Sequence, residues 1–217
     1  MTAEKTIGIL AGMGPRSTGP FIDLIVTQCQ IQYGAKLDED FPHMMIYSLP
    51  TPFYVDTPID HEKMKLVVKT GLKRLEETGV SFIAIPCNTV HAYFDDLEAS
   101  IGVKLLNIIE ESVREIRGGK KIALIATRPT VESRAYQRYI EHSGAEVIHS
   151  GFIQEKVNAL ITDVKAGKAY EQLYSDWMTL INQICDAGAD SAIISCTDLN
   201  RFAEINSNIA ITDSYWP

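Results

Sequence analysis

Long apolar runs are missing from this chain of 217 residues. None approaches the ~20 residues that a membrane-spanning helix needs, so no membrane partner is expected. The opening stretch, Met1-Thr2-Ala3-Glu4-Lys5, lacks the profile of a secretory leader and runs straight into a strand-like segment, which points to the cytoplasm. Dense Lys/Arg runs are missing as well. With 20 basic against 28 acidic residues the formal net charge is -8, which argues against a nucleic-acid partner. Cysteine is scarce. The four residues Cys29, Cys87, Cys185 and Cys196 include no CxxC pair and have no His at zinc spacing. His43, His61, His142 and His149 are scattered, so no metal is expected. In a reducing compartment four such cysteines read as free thiols rather than a disulfide framework.

What is present is ordinary in bulk and informative in pattern. Hydrophobic residues make up 46% and charged residues 22%, as in a globular protein long enough for one large domain or two small ones. Short apolar runs alternate with amphipathic stretches. Thr6–Leu10 reads as a buried strand, Ala11–Pro15 as a tight turn, and Ser17 or Thr18 as the cap of a helix that places Phe21, Ile22, Leu24, Ile25 and Cys29 on one face. Met44–Leu49 is a second strand, and the proline-rich segment 50–58 is irregular. A helix from Asp60 to Glu77 precedes the strand Phe82–Ile85. A helix over 90–98 and a strand over 104–107 follow.

The second half repeats this plan. It has a strand at 121–126, a turn at Thr127–Thr130, a helix over 131–143 and a strand at 146–148. Helices over 154–165 and 170–187 lead to the strand 191–195 and a last strand at 209–212. The predicted fold class is α/β, with two pseudo-symmetric parallel-sheet domains and the active site in the cleft between them. The domains are assigned to 1–108 and 109–211, with 212–217 as a candidate to complete the first.

Two stretches carry chemistry. Phe82-Ile83-Ala84-Ile85 ends abruptly in Pro86-Cys87-Asn88-Thr89, and Ser191-Ala192-Ile193-Ile194-Ser195 ends in Cys196-Thr197-Asp198. Matching glycine-containing lead-ins, Glu77–Val80 and Asp186–Asp190, precede them. Each half therefore places one thiol just past a strand, where open α/β sheets bind ligands. A thiol acts as base or nucleophile only as thiolate, and a position before a helix start favours that form. Asn88, Thr89 and Thr197 add donors suited to a carboxylate, and the Gly12–Gly14 and Thr127–Thr130 turns add backbone N–H groups. Two thiols on opposite faces of one carbon can take a proton from one face and return one to the other, which inverts a stereocentre. Cys29 and Cys185 fall on apolar helix faces and read as core. His91, one turn after Cys87, reads as a packing residue that could also tune the thiolate. Arg128 reads as solvated.

Gly12-Met13-Gly14-Pro15, Pro86-Cys87-Asn88-Thr89 with His91, Ala126-Thr127 and Cys196-Thr197 together resemble the signature positions of the aspartate/glutamate racemase family, in its order and spacing. The resemblance implies two pseudo-symmetric α/β domains, a homodimer, and racemisation of an amino acid without pyridoxal phosphate or another cofactor. It implies Cys87 and Cys196 as the acid/base pair. It implies Met13, Asn88, Thr89, Thr127 and Thr197 as substrate contacts and Lys165 as the lysine that reaches a substrate carboxylate, where the alternative is a solvated helix end. The chain departs from the pattern at Asp198, usually Glu, at Ser195, often Gly, and in Leu49–Tyr54, which has no cation for a side-chain carboxylate. In these respects it resembles the bacterial broad-specificity racemases more than strict aspartate enzymes. Family members also continue into a further helix after Asp-Ser. Related chemistries in such a cleft are a maleate isomerase-like reaction or a decarboxylase, the latter needing only one cysteine. The non-enzymatic alternative is a small-acid binding protein.

Overall fold

The computed structural model describes residues 5–53, 58–116, 119–205 and 209–214. The chain divides into two compact units, one containing residues 5–53 and 59–107 and the other residues from 108 onward. The first unit contains β1 (Thr6–Ala11), α1 (Thr18–Tyr33), β2 (His43–Ser48), α2 (His61–Glu76), β3 (Phe82–Ala84), α3 (Phe94–Glu98) and β4 (Lys104–Leu105). The second contains α4 (Ile108–Arg114), β5 (Lys121–Ala126), α5 (Arg128–Glu132), α6 (Ala135–His142), β6 (Glu146–Ile148), α7 (Gly151–Ala166), α8 (Tyr170–Asp186), β7 (Ser191–Ser195) and β8 (Ala210–Asp213). The sheets run in the orders β2-β1-β3-β4 and β6-β5-β7-β8, and every pairing is parallel. The two orders are the same pattern, so the repeated plan read from the sequence is a repeated topology.

The central strands explain themselves. β5 is apolar and buried from its second residue to its last, and β7 is buried throughout. A parallel strand covered by helices on both faces is a continuous apolar run of this kind. In α8 the buried residues Leu173, Trp177, Leu180, Ile181 and Ile184 recur at helical spacing, and the Trp177 ring stacks on Phe202 with centroids 5.1 Å apart. In α2 Met64, Val68, Leu72 and Leu75 do the same against Leu10, Ile83 and Leu105. Burial of each such side chain contributes about 1.5–3 kcal/mol. The lead-ins before β3 and β7 both turn through a left-handed glycine, Gly79 at φ 80° and Gly188 at φ 87°.

Several boundaries differ from the sequence reading, each for a local reason. The single helix expected over 131–143 is two helices, α5 and α6. Arg134 between them adopts φ 55°, Ser133 Oγ accepts the Ala135 N–H, and Gln137 Nε2 donates to the Val131 carbonyl. The helix expected over 90–98 begins at Thr89 as a 3-10 segment, Thr89–Tyr93, before α3. α4 is too short to announce itself by periodicity. Ser17 and Thr18 do not cap α1 through their side chains. Ser17 Oγ donates to the Gly14 carbonyl, and Thr18 Oγ1 accepts the Gly12 N–H, so both brace the glycine turn. Thr212 and Asp213 pair with Ile193 and Ile194 in the second sheet rather than completing the first unit, and residues 215–217 lie outside the described residues. Residues 54–57 of the segment expected to be irregular also lie outside them. Cys29 is buried as expected, and Cys185 packs partly buried against the second core. None of the four cysteines is joined in a disulfide. Among the described residues no helix is long and apolar enough to cross a membrane, and no cluster of His, Cys, Asp or Glu is arranged for a metal ion.

Gly12 and Gly71 offer a test of how tightly β1 and its surroundings are fitted. At Gly12, φ is +90°, and an added Cβ would lie 2.6 Å from the Leu49 backbone nitrogen and 2.8 Å from its carbonyl oxygen. At Gly71, inside α2, it would meet only the tips of the Leu49 and Leu10 side chains. Gly12→Ala should cost about 2 kcal/mol or more because backbone must move and the conformation is strained. Gly71→Ala should stay within about 1 kcal/mol, helix propensity offsetting the crowding. Urea unfolding of both variants checks this, and equal losses would contradict it.

Candidate active site

The strand register sets where the chemistry sits. In the second unit Ala126, the last residue of β5, pairs with Ser195, the last residue of β7. The next residues on these neighbouring strands are Thr127 and Cys196, so both stand at the carboxyl edge of the sheet. Thr127 is extended, caps α5 and accepts the Thr130 N–H through Oγ1, while its hydroxyl also bonds Thr130 Oγ1 at 2.9 Å. Cys196 is extended, 6% exposed, and its carbonyl accepts the Leu199 N–H as the 3-10 segment Thr197–Phe202 begins. Thr197 is buried beside it. Lys165 Nζ, near the end of α7, lies 2.9 Å from Asp198 Oδ2, and the Asp198 side chain is only 7% exposed. Lys165 is thus tied to the segment that carries Cys196 and Thr197 rather than standing out as a solvated helix end.

The first unit repeats the arrangement. Ile9 of β1 pairs with Ala84 of β3. Carried past the last paired residues, β1 delivers Gly12-Met13 and β3 delivers Pro86-Cys87 to the same edge. Met13 and Cys87, each 8% exposed, are part of one apolar cluster. The Cys87 N–H donates to the Ile85 carbonyl, and Asn88 and Thr89 follow, both buried. Asn88 immediately precedes the 3-10 segment, and its carbonyl accepts the His91 N–H.

His91 is fully enclosed. Its Nδ1 lies 2.8 Å from the Cys87 carbonyl oxygen, its Nε2 3.3 Å from the Leu106 carbonyl, and its ring stacks on Phe94. The shorter contact favours the tautomer in which Nδ1–H donates to Cys87. Burial pushes the imidazole below its ordinary pKa, while the bonds to the two carbonyls pull it upward. This is the packing role read from the sequence, with a definite object: the backbone of the thiol-bearing residue. Arg128 is exposed at the start of α5, and its charge helps hold His149 below its usual pKa, after burial.

The structure also joins residues the sequence reading passed over. Gln154 Nε2 donates to the Ala126 carbonyl at 3.0 Å and to Asn158 Oδ1 at 2.9 Å, all three buried. The signal was a pair of amides one turn apart within the apolar face of Ile153, Val157, Ile161 and Val164. Tyr136 is fully buried behind β7, and burial raises its phenol well above the usual range, while the hydroxyls of Ser195, Ser112 and Ser214 act in the opposite sense. No local pattern links those serines, because they come from different elements.

Two parallel α/β units, each with a buried thiol at the edge where its central strands end, define an amino-acid racemase architecture. The aspartate racemase of Picrophilus torridus superposes with a TM-score of 0.79 at 25% identity, covering 97% of this chain and 89% of that one. An aspartate racemase homologue from Pyrococcus horikoshii gives 0.76 at 25% identity, covering 97% and 94%. The family model for Asp/Glu/Hydantoin racemase matches residues 10–214. The chain is 48% identical to the broad specificity amino-acid racemase RacX of Bacillus subtilis over 210 residues, 96% of this chain and 92% of that protein. The chain belongs to the Asp/Glu/Hydantoin racemase family.

His91 yields a pH prediction. Its folded pKa lies below the unfolded value near 6.5. Below that pH the unfolded chain binds the proton first, so stability is fully present above about pH 6.5 and is lost as pH falls from there through the folded value. His91→Gln should flatten this part of the pH–stability curve. His91→Ala should cost about 3 kcal/mol at pH 8 by leaving a cavity and an orphaned carbonyl. Urea melts between pH 5 and 8.5 read both, and a curve unchanged by His91→Gln would contradict the assignment.

Proposed function

We propose that this protein is a cofactor-independent racemase that interconverts L- and D-amino acids by two-base proton transfer at the α-carbon. The observation that carries the reading is the recurrence of a buried strand-end thiol, Cys87 and Cys196, in two sheets of the same strand order. In each turnover one cysteine is thiolate and the other thiol. The thiolate takes the α-hydrogen as a proton, and the electron pair left behind spreads into the α-carboxylate. The opposing thiol then delivers its proton to the other face, so the pair ends with its protonation states exchanged and the reverse reaction begins from there.

The weakly acidic α-carbon requires donors held in place for the enolate-like charge. Asn88 and Thr89 serve the α-carboxylate so that Cys87 meets the α-carbon, with Met13 shaping that side. Thr127 and Thr197 supply donors on the Cys196 side. Lys165 offers a cation to a carboxylate in exchange with Asp198. Broad substrate use is supported by the likeness to a broad specificity racemase and by the absence of a cation in Leu49–Phe53. The protein acts in the cytoplasm as a homodimer in this reading. Exposed apolar side chains on α1 and the edge strand β2, such as Ile31, Tyr33, Met45 and Ile46, favour self-association.

Incubation with single amino acids in deuterated water tests the mechanism. Inversion should be accompanied by incorporation of deuterium at the α-carbon. Cys87→Ser and Cys196→Ser should each lower inversion by about 10²–10⁴-fold. One-sided exchange surviving in one variant fits the two-base scheme, whereas normal racemisation by either variant sinks it. Consumption of maleate without amino-acid exchange would move the assignment to an isomerase.

A further inference from the structure

The Gln154–Asn158 pair has a polarity that can be worked out from one backbone group. A carbonyl oxygen only accepts hydrogen bonds, so the Ala126 carbonyl requires the NH2 end of Gln154 rather than its oxygen. One hydrogen of that NH2 goes to Ala126 and the other to Asn158. Asn158 must therefore offer Oδ1 to Gln154 and turn its own NH2 the other way. Asn158 is 9% exposed, and its Nδ2 has no partner among the described residues, yet it is not one of the sealed, unpartnered polar atoms. A nearly buried amide donor without a partner is costly, and its donors face what opening remains.

The place of this amide gives it an object. Ala126 is the last residue of β5, in register with Ser195, so the relay starts at the edge that carries Thr127 and Cys196. Two helical turns beyond Asn158 on the same face of α7 stands Lys165, paired with Asp198 in the segment after Cys196. Asn158 thus lies on the stretch of α7 between two groups of the Cys196 site. Paired N–H donors of a neutral amide match a carboxylate oxygen and mismatch an ammonium group.

We propose that Asn158 binds a carboxylate oxygen of the amino-acid substrate through Nδ2, with its orientation imposed by the Ala126 carbonyl through Gln154. This rests on the racemase reading. A carboxylate can come from the α-carboxyl group shared by all amino acids or from an acidic side chain.

The test uses Asn158→Asp and Asn158→Ala in the full chain. Asn158→Asp keeps the shape and the acceptor for Gln154 but presents an acidic oxygen where the donors were. Asn158→Ala removes the donors without adding charge, and thermal melting verifies that each variant is folded. Each should raise KM about tenfold or more, with a smaller effect on kcat. A rise of equal size for alanine, leucine, aspartate and glutamate supports contact with the α-carboxylate, and a rise confined to aspartate and glutamate supports contact with the side chain. KM unchanged in both folded variants overturns the proposal. Calorimetric binding of the same amino acids to wild type and Asn158→Ala gives a readout apart from turnover. Weakened binding in the variant of a protein that binds but does not racemise keeps the contact while the racemase reading fails. Wild-type binding to none of these amino acids overturns both.

Discussion

The constraint on which the rest depends is parallel pairing between buried central strands. In a parallel sheet all carboxyl ends lie at one edge, and a buried strand can end only where the next residues find other partners for their backbone groups. β5 with β7 and β1 with β3 meet this by ending near the same level and passing into turns. The residues that follow are small, polar and nearly enclosed: Cys87, Asn88 and Thr89 in one unit, Thr127, Cys196 and Thr197 in the other. Their closeness to one another within each unit is a consequence of register, and register is set by apolar burial on both faces of the sheet.

A second tier of polar groups makes that edge stiff. Buried backbone carbonyls beside the thiols must be satisfied, and each half does so differently. His91 takes the Cys87 carbonyl, while Gln154 takes the Ala126 carbonyl and Lys165 engages Asp198. His91 and Gln154 sit in low-dielectric surroundings, where a satisfied bond is strong and an orphaned one costly. Ser17 and Thr18 do the same for the glycine turn around Gly12, whose close approach to Leu49 leaves no room for a side chain.

How much of this could be read from the sequence follows from which forces act locally. The strands Thr6–Ala11, Lys121–Ala126 and Ser191–Ser195 and the helices α2 and α8 announced themselves, because burial writes a period into the chain. The two thiols and their polar followers were legible for the same reason: each interrupts an apolar run at its end. The split at Arg134 was not, because it depends on side-chain bonds from Ser133 and Gln137 that compete with the helix ladder. The last strand was legible as far as Thr212, but its pairing with Ile193 and that of Asp213 with Ile194 were not, because strand partners far apart in the chain leave no local trace. Gln154 and Asn158 hid inside an apolar face, where a pair of amides looks like noise until the Ala126 carbonyl is placed opposite.

The likeness between the two halves is one of topology, and it stops short of the chemistry around each thiol. On the Cys87 side the supporting group is a neutral imidazole bound to backbone, and its burial keeps it neutral. On the Cys196 side the supports include an ion pair one residue beyond Thr197 and an amide relay with fixed polarity. A repeated fold supplies two equivalent strand ends, and divergence of the surrounding side chains gives them different electrostatic settings.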